Sequence, residues 1–307
     1  MSNNPTPIDL IGYGGITQQV AARLNGYTIS AFSRQFTDKH PGCAQIRCCQ
    51  TDLDQPSENL ANSLSDGIWV YSAPPGGTQQ TDERLRAFLT AAAAANPAGI
   101  IYLGTSGVYG NTDGDWVDEH SPTRPGNERS ARRLDAEQQL RTFAQTRPTR
   151  LFLLRITGIY SAERLPVTRI KSGRPIICDA EAPWSNRIHA DDLTEIIVKL
   201  IEHIETHPET GEPVEVFNIS DNHPDKPTNL YRKTAEYHHL PMPEHVGIET
   251  ALNNATPMAA EFLRESRRIN AEKIQRFLNW QPRYPDLDAF FAQLAHTSDQ
   301  TEPLHQR

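Results

Sequence analysis

The chain has 307 residues, 37% of them hydrophobic, enough for one large or two modest domains with a sizeable core. Its formal net charge of -8, with no long basic run, argues against a nucleic-acid surface or a hold on anionic membranes, so a small anionic ligand needs a local basic pocket. No stretch of about 18 apolar residues reads as a membrane span, and the opening "MSNNPTP" has neither the positive nor the apolar part of a targeting segment; a soluble, cytoplasmic protein is expected.

Residues 8–24, "IDLIGYGGITQQVAARL", open with an apolar strand at Ile8–Ile11, pass through a glycine cluster and continue into a helix over Gln18–Leu24. In a strand, Gly-x-Gly-x-x-Gly, helix unit the first glycine makes the turn, the second lets backbone approach a pyrophosphate, and the third packs helix on strand. Gly12 and Gly14 fill the first two places, Gly15 sits beside the second, and Thr17 stands at the third. Backbone N–H groups at the helix start hold the phosphates, so Thr17 is expected to affect packing more than anion binding. The stretch can also be a plain strand-to-helix turn.

A second strand, Thr28–Phe32, ends at Ser33 and Arg34. An NAD site carries an acid there for the ribose 2′-hydroxyl, whereas an arginine suits the 2′-phosphate of NADP through a bidentate, charge-assisted contact. An ordinary surface arginine is the competing explanation. A third strand, Ile46–Cys49, precedes Asp52, a candidate acceptor for an adenine amino group. Cys43, Cys48, Cys49 and Cys178 lack zinc-type spacing, and adjacent cysteines suit a structural bridge poorly, so free thiols are expected.

The fourth strand, Ile68–Tyr71, runs into "SAPPGG", which either lies flat beneath a dinucleotide or is a simple loop. A helix over Asp82–Ala95 takes in the high-propensity "AAAAAN" at 91–96, followed by a strand at Ile100–Leu103, a helix at Glu128–Phe143 and a strand at Leu151–Leu154. Strands alternating with helices imply a parallel sheet covered on both faces, with ligands at the carboxyl ends of the strands. Beyond about residue 156 come proline-rich stretches, a helix at Asp191–Ile204, a strand at Val214–Ile219 and mostly helices to His296. The expected fold class is therefore α/β: a doubly wound parallel sheet of Rossmann type with a smaller, mostly helical C-terminal substrate domain. Residues 1–155, completed by about 186–220, form the nucleotide part, 156–185 with 221–296 the substrate part, and 297–307 a tail. His203 and His207, and His238 and His239, lack a third ligand, and no metal is expected.

"IIYLGTSGVYG" (100–110), "RSARRLDAE" (129–137), "LLRITGIY" (153–160), "NRIHADDL" (186–193), "VFNISD" (216–221) and the C-terminal 265–290 follow one another in a familiar order and spacing. The sequence resembles the extended and atypical short-chain dehydrogenase/reductases, in the NAD(P)-dependent epimerase/dehydratase branch often labelled nucleoside-diphosphate-sugar epimerase-like. The resemblance implies that Thr105 hydrogen-bonds a reacting carbonyl or alcohol. It also implies a tyrosine acid/base and a lysine four residues later, positions that here hold Arg129 and Arg133. Arginine, with a pKa above about 12, does not exchange a proton near neutrality; Arg133 retains the means to hold ribose hydroxyls. Tyr109 and Tyr160 are the candidate substitutes for the phenol, or else packing residues. "GIYSAERLP" also replaces the family's Gly-Pro-Gly turn with Ser161-Ala162-Glu163. Asn186, Arg187 and His189 form the substrate-side candidate, with Arg187 as the anion contact and His189 with Asp191 alternatively a helix cap.

The expected function is NADP-dependent hydride transfer, with NAD as the alternative cofactor, on a small polar or sugar-like carbonyl substrate. The alternative is a catalytically inactive NADP(H)-binding sensor; a Rossmann domain that binds nothing is disfavoured by Gly12, Gly14 and Arg34 together. Partners are expected to be a small-molecule substrate and, for assembly, a second copy of the chain, with neither nucleic acid nor membrane.

Overall fold

The structure, a computed structural model, describes residues 6–36, 46–57, 59–208 and 211–301. Cys43 lies outside the described residues; Cys49 and Cys178 carry free thiols. The strands are β1 (Ile8–Ile11), β2 (Ile29–Ser33), β3 (Arg47–Gln50), β4 (Ile68–Tyr71), β5 (Gly99–Leu103), β6 (Trp116–Val117), β7 (Arg150–Ile156), β8 (Gly158–Tyr160), β9 (Ile176–Ile177), β10 (Arg187–His189), β11 (Val214–Ile219), β12 (His245–Val246) and β13 (Arg268–Ile269). The helices are α1 (Gly15–Arg23), α2 (Leu60–Ser63), α3 (Glu83–Ala91), α4 (Glu128–Gln145), α5 (Val167–Lys171), α6 (Ala190–Thr206), α7 (Pro227–Tyr237), α8 (Ile248–Asn253), α9 (Pro257–Arg264), α10 (Glu272–Leu278) and α11 (Leu287–Thr301).

Seven strands make one sheet in the order β11-β7-β5-β4-β1-β2-β3, every pairing parallel. Alternate side chains of each strand go to opposite faces, and both faces are buried. Ile8, Leu10, Val70, Ile101 and Phe152 pack under α1 and α6, while Ile11, Trp69, Tyr71, Ile100 and Leu153 pack under α3 and α4. This double burial is why the strands read as continuous apolar runs. The sequence-derived fold class is observed, and the order in which strands are added to the sheet reverses between β1 and β4, which places the switch-point crevice beside the glycine turn.

Local chemistry fixes the helix starts. Asp82 accepts the Leu85 N–H ahead of α3, and Asn127 accepts the Ser130 N–H ahead of α4. In α6, Leu193, Ile196, Ile197, Leu200, Ile201 and Ile204 recur at helical spacing and are all buried. Three helix ends differ from the sequence expectation by three residues or more. The first helix begins at Gly15, ahead of Gln18, because the Thr17 hydroxyl closes its first turn. α3 stops at Ala91, well before Ala95: Asn96 precedes Pro97, a position that disfavours helix, and the chain turns to bury Ala92 and Ala95 on its way into β5. At the other end α11 runs past His296 to Thr301.

The remaining strands form short parallel pairs, β8 with β10, β9 with β12, and β6 with β13. The last pair brings residues near 268 back onto the loop after β5, so the C-terminal segment closes over the carboxyl edge of the sheet. Among the described residues, no helix is long and apolar enough to cross a membrane.

Candidate functional site

At the end of β1 the chain must turn sharply under β4. Gly12 does so at φ +92°, and a Cβ there would lie 2.7 Å from the Ala73 nitrogen. Ser72, directly after β4, donates its hydroxyl to the Gly12 carbonyl at 2.6 Å. Thr17 is buried, and its Oγ1 accepts the Gly14 N–H at 2.9 Å while donating to the Gly12 carbonyl at 2.8 Å. The residue at the third glycine place therefore ties the turn together from inside, a larger role than the packing effect expected from sequence. Gly14 faces open space, with no atom within 4 Å of where a Cβ would stand.

That space is the mouth of a cavity of about 750 Å³, running from the glycine turn, past the ends of β5 and β7, to the loops around α5, α7 and α9. Gly14, Gly15, Thr105, Arg133 and Asn186 line it as sequence reasoning proposed. Thr105 follows β5 and caps a short 3₁₀ turn, Ser106–Tyr109, by accepting the Gly107 N–H at 3.1 Å. Its hydroxyl proton is left to donate. Arg133, on α4, is pinned by Nη1 donating to the Leu103 carbonyl at 3.1 Å and the Tyr102 hydroxyl at 3.2 Å. The Asn186 amide is spent on structure: Nδ2 donates to the Arg267 carbonyl and Oδ1 accepts the Ile269 N–H.

Ser33, Arg34 and Asp52 stand at the carboxyl ends of β2 and β3, outside this cavity but on the same edge of the sheet. The Ser33 hydroxyl donates to the Gln35 carbonyl, and Asp52 Oδ1 accepts the Asp54 N–H. Asp54 itself is gripped by Arg84 through two contacts of 2.7 Å, which hold its carboxyl below the usual range.

Four more of the proposed residues, those assigned to catalysis or substrate, do not line the cavity either. The Tyr109 hydroxyl is buried, donating to Asn218 Oδ1 at 2.8 Å and accepting from Arg155 Nη1 at 3.0 Å, and burial pushes its pKa up to about 12. Tyr160 is packed edge-on against His189 and Phe290, and burial raises its phenol further still. Arg187 is 6% exposed and directed at the Asp225-Lys226 loop, with Nη2 donating to the Lys226 carbonyl at 3.3 Å. His189 caps α6, its Nδ1 accepting the Asp191 N–H at 3.1 Å, and burial lowers its pKa, which favours the neutral ring this role needs. For Tyr160, Arg187 and His189 the reason is the β8–β10 pairing, which matches Arg187 with Gly158 and His189 with Tyr160 and draws the segment inside; Tyr109 is held in by Asn218 and Arg155.

In exchange, the fold brings in Arg164 and Arg169, to which the sequence reading gave no role, and turns Arg129 to the same cavity. Arg164 Nη2 lies 3.5 Å from where a Gly15 side chain would begin. Arg169 lies over the Tyr231 ring, and Arg129 is one turn before Arg133 on α4. All four guanidiniums, Arg129, Arg133, Arg164 and Arg169, line the cavity, and among the described residues none has a carboxylate in ion-pair distance. A chain of net charge -8 thus contains the local basic pocket its composition would require for an anionic ligand. The signal available in the sequence was "SAERLP", which breaks the expected Gly-Pro-Gly turn with a charged residue.

A seven-stranded parallel sheet with a glycine turn and a basic cavity at its switch point defines a Rossmann-type α/β protein. The chain belongs to the NAD dependent epimerase/dehydratase family, whose sequence profile matches residues 12–220. A conserved protein of unknown function from Silicibacter pomeroyi DSS is similar in structure, with TM-score 0.76 and 26% identity over 95% of this chain and 99% of that one. MoeE5, solved with UDP-glucose and NAD, has TM-score 0.72 and 18% identity over 96% of this chain and 100% of its own. The UDP-N-acetylglucosamine 4-epimerase from Bacillus cereus has TM-score 0.68 and 14% identity over 96% and 99%. At these last two identities the likeness is one of fold. No curated protein matches the sequence.

Proposed function

We propose that this protein is an NADP-dependent epimerase- or reductase-type enzyme that acts by hydride transfer on a sugar-like substrate, with a nucleotide sugar as the leading class. The observation that carries the proposal is that Gly14 and Gly15 of the glycine turn, Thr105 and Arg133 open onto one cavity of about 750 Å³. The fit for a dinucleotide rests on Gly14, where a Cβ would stand in the open groove, and on α1, whose first-turn amides have no intrahelical acceptor. MoeE5, crystallised with nucleotide sugars and NAD, supports the substrate class by fold.

A nicotinamide dinucleotide bound there supplies a hydride acceptor and donor at its C4 carbon. The chain's own residues divide the remaining work. The glycine turn and Arg164 would hold the pyrophosphate, and Arg133, fixed on the Leu103 carbonyl, would meet ribose hydroxyls. Thr105 donates to the substrate oxygen while its own Oγ1 stays anchored on the Gly107 N–H. Because an arginine side chain is no proton donor or acceptor near neutrality and neither Tyr109 nor Tyr160 lines the cavity, proton exchange falls to water or to the substrate-side loops.

Incubation with NADP and a panel of nucleotide sugars, followed by nicotinamide absorbance and product analysis, is expected to show turnover. Thr105→Val should lower it by about 10²-fold, the scale of one positioned contact, with cofactor affinity kept and Thr105→Ser largely active. Unchanged turnover in Thr105→Val would remove Thr105 from the chemistry. Cofactor binding without turnover of any substrate would leave a nucleotide-binding sensor as the function.

Cofactor choice is assigned to Arg34. A charge-assisted contact to the 2′-phosphate contributes about 1.5–3 kcal/mol, equivalent to roughly tenfold to a hundredfold in affinity for NADPH over NADH. Arg34→Asp should erase or invert that ratio, since it removes the phosphate's partner and adds an acceptor for the ribose hydroxyl. Fluorescence titration decides it, and equal wild-type affinities would sink the assignment.

A further inference from the structure

We infer that the reacting end of the cavity recognises a carboxylate on the substrate through Arg129, so that the preferred sugar is an acidic one; the inference rests on the function proposed above. Arg129 and Arg133 are four residues apart on α4 and share the face toward the cavity. Arg133 is already committed to Leu103 and Tyr102. Arg132, beside them, is also used, donating to the Gln79 carbonyl at 2.6 Å with Glu128 at 3.7 Å. Arg129 differs: its hydrogen-bond partner among the described residues is the thioether of Met258, at 3.9 Å, a weak acceptor for a full positive charge.

Position makes that charge specific. The first turn of α4 is seated against the Thr105 loop, since a Cβ on Gly107 would lie 2.8 Å from Ser130 Oγ and 3.4 Å from Thr105 Oγ1. Arg129 directly precedes Ser130, next to the hydroxyl that faces the substrate oxygen. The acids nearby do not neutralise it. Glu265 is taken by Arg267 at 2.6 Å and Asn127 at 3.3 Å, and Glu261 faces the cavity outside ion-pair distance. The parallel N–H donors of one guanidinium match the two coplanar oxygens of a carboxylate. Arg129 is exposed at the rim of the cavity, so a neutral sugar leaves its charge to water, whereas a carboxylate meets it directly.

The test compares two probes that differ in one group, UDP-glucuronate with a carboxylate and UDP-glucose with a hydroxymethyl, titrated calorimetrically into the NADP-saturated protein. Wild type is expected to bind UDP-glucuronate about tenfold to a hundredfold more tightly. Arg129→Gln should abolish that preference by weakening UDP-glucuronate while UDP-glucose changes by less than about threefold, and Arg129→Lys should keep part of it because the charge remains without the fork. Equal wild-type affinity for the two sugars, or an equal loss of both in Arg129→Gln, would overturn the inference and leave the proposed function standing. Failure of both sugars to bind a protein that does bind NADP would overturn the two together.

Discussion

Gly14→Val is expected to raise the dissociation constant for NADPH and NADH alike by about a hundredfold while leaving the thermal midpoint near that of wild type. At Gly14 the backbone has φ -113° and ψ -173°, a conformation open to any residue, and no atom lies within 4 Å of the new Cβ. The fold therefore accepts the side chain without strain. The isopropyl group instead fills the groove beside the first amides of α1 and holds a pyrophosphate away from them. Loss of one charge-assisted contact alone is about 1.5–3 kcal/mol, hence the hundredfold scale at its upper end. Gly12→Val makes the control of opposite kind. There φ is +92° and the Cβ would sit 2.7 Å from the Ala73 nitrogen, so the variant pays about 1–3 kcal/mol in backbone conformation plus the overlap with β4. Gly12→Val should lose stability first and cofactor second, in thermal melts and nicotinamide fluorescence titrations of both variants. Wild-type cofactor affinity in Gly14→Val would take the glycine turn out of the cofactor site.

Glu137→Ala is expected to destabilise the protein by about 3–5 kcal/mol, because it strands a buried guanidinium. Arg155 on β7 meets Glu137 on α4 in a two-pronged pair, Nε to Oε1 at 3.0 Å and Nη2 to Oε2 at 2.8 Å, with the side chains 6% and 3% exposed. The third prong, Nη1, donates to the Tyr109 hydroxyl, which passes the network on to Asn218 of β11. Four elements are thus tied at one buried charge, and α4 carries Arg133 one turn before Glu137. Glu137→Met combined with Arg155→Leu should recover most of the lost stability, since replacing both charges removes the desolvation cost along with the attraction. Urea unfolding of the two single variants and the double variant measures the coupling. A loss below about 1 kcal/mol in Glu137→Ala, the scale of an exposed pair, would show that water reaches Arg155.

The sheet was legible in the sequence because its signals are local. Ile8–Ile11, Ile68–Tyr71 and Val214–Ile219 are apolar runs bounded by turn residues, and their observed limits coincide with the expected ones. Gly12 at a strand end states a backbone conformation that only glycine adopts cheaply. The periodic leucines and isoleucines of α6 state a buried face whatever lies opposite. Helix ends were less legible where a tertiary demand intervened, as at Ala91, where the alanines after it are drawn inward to start β5.

The site divides along the same line. Gly14, Gly15, Thr105 and Arg133 lie in the cavity because each follows directly from a strand end or a helix face that sequence patterning locates. Tyr109, Tyr160, Arg187 and His189 are equally polar in the sequence but buried in the fold, the last three by the β8–β10 pairing and Tyr109 by its bonds to Asn218 and Arg155. Their fate depended on partners far along the chain: Asn218 for Tyr109, Phe290 for Tyr160. The arginines that make the cavity basic show the converse. Arg164 reaches Gly15 across about half the chain, a contact no local pattern encodes. The sequence by itself determined the parallel sheet, its glycine turn and the family, since these rest on short-range periodicity and backbone sterics. Only the tertiary structure decided which charged and phenolic groups face the ligand, since burial and ion pairing are set by neighbours distant in sequence.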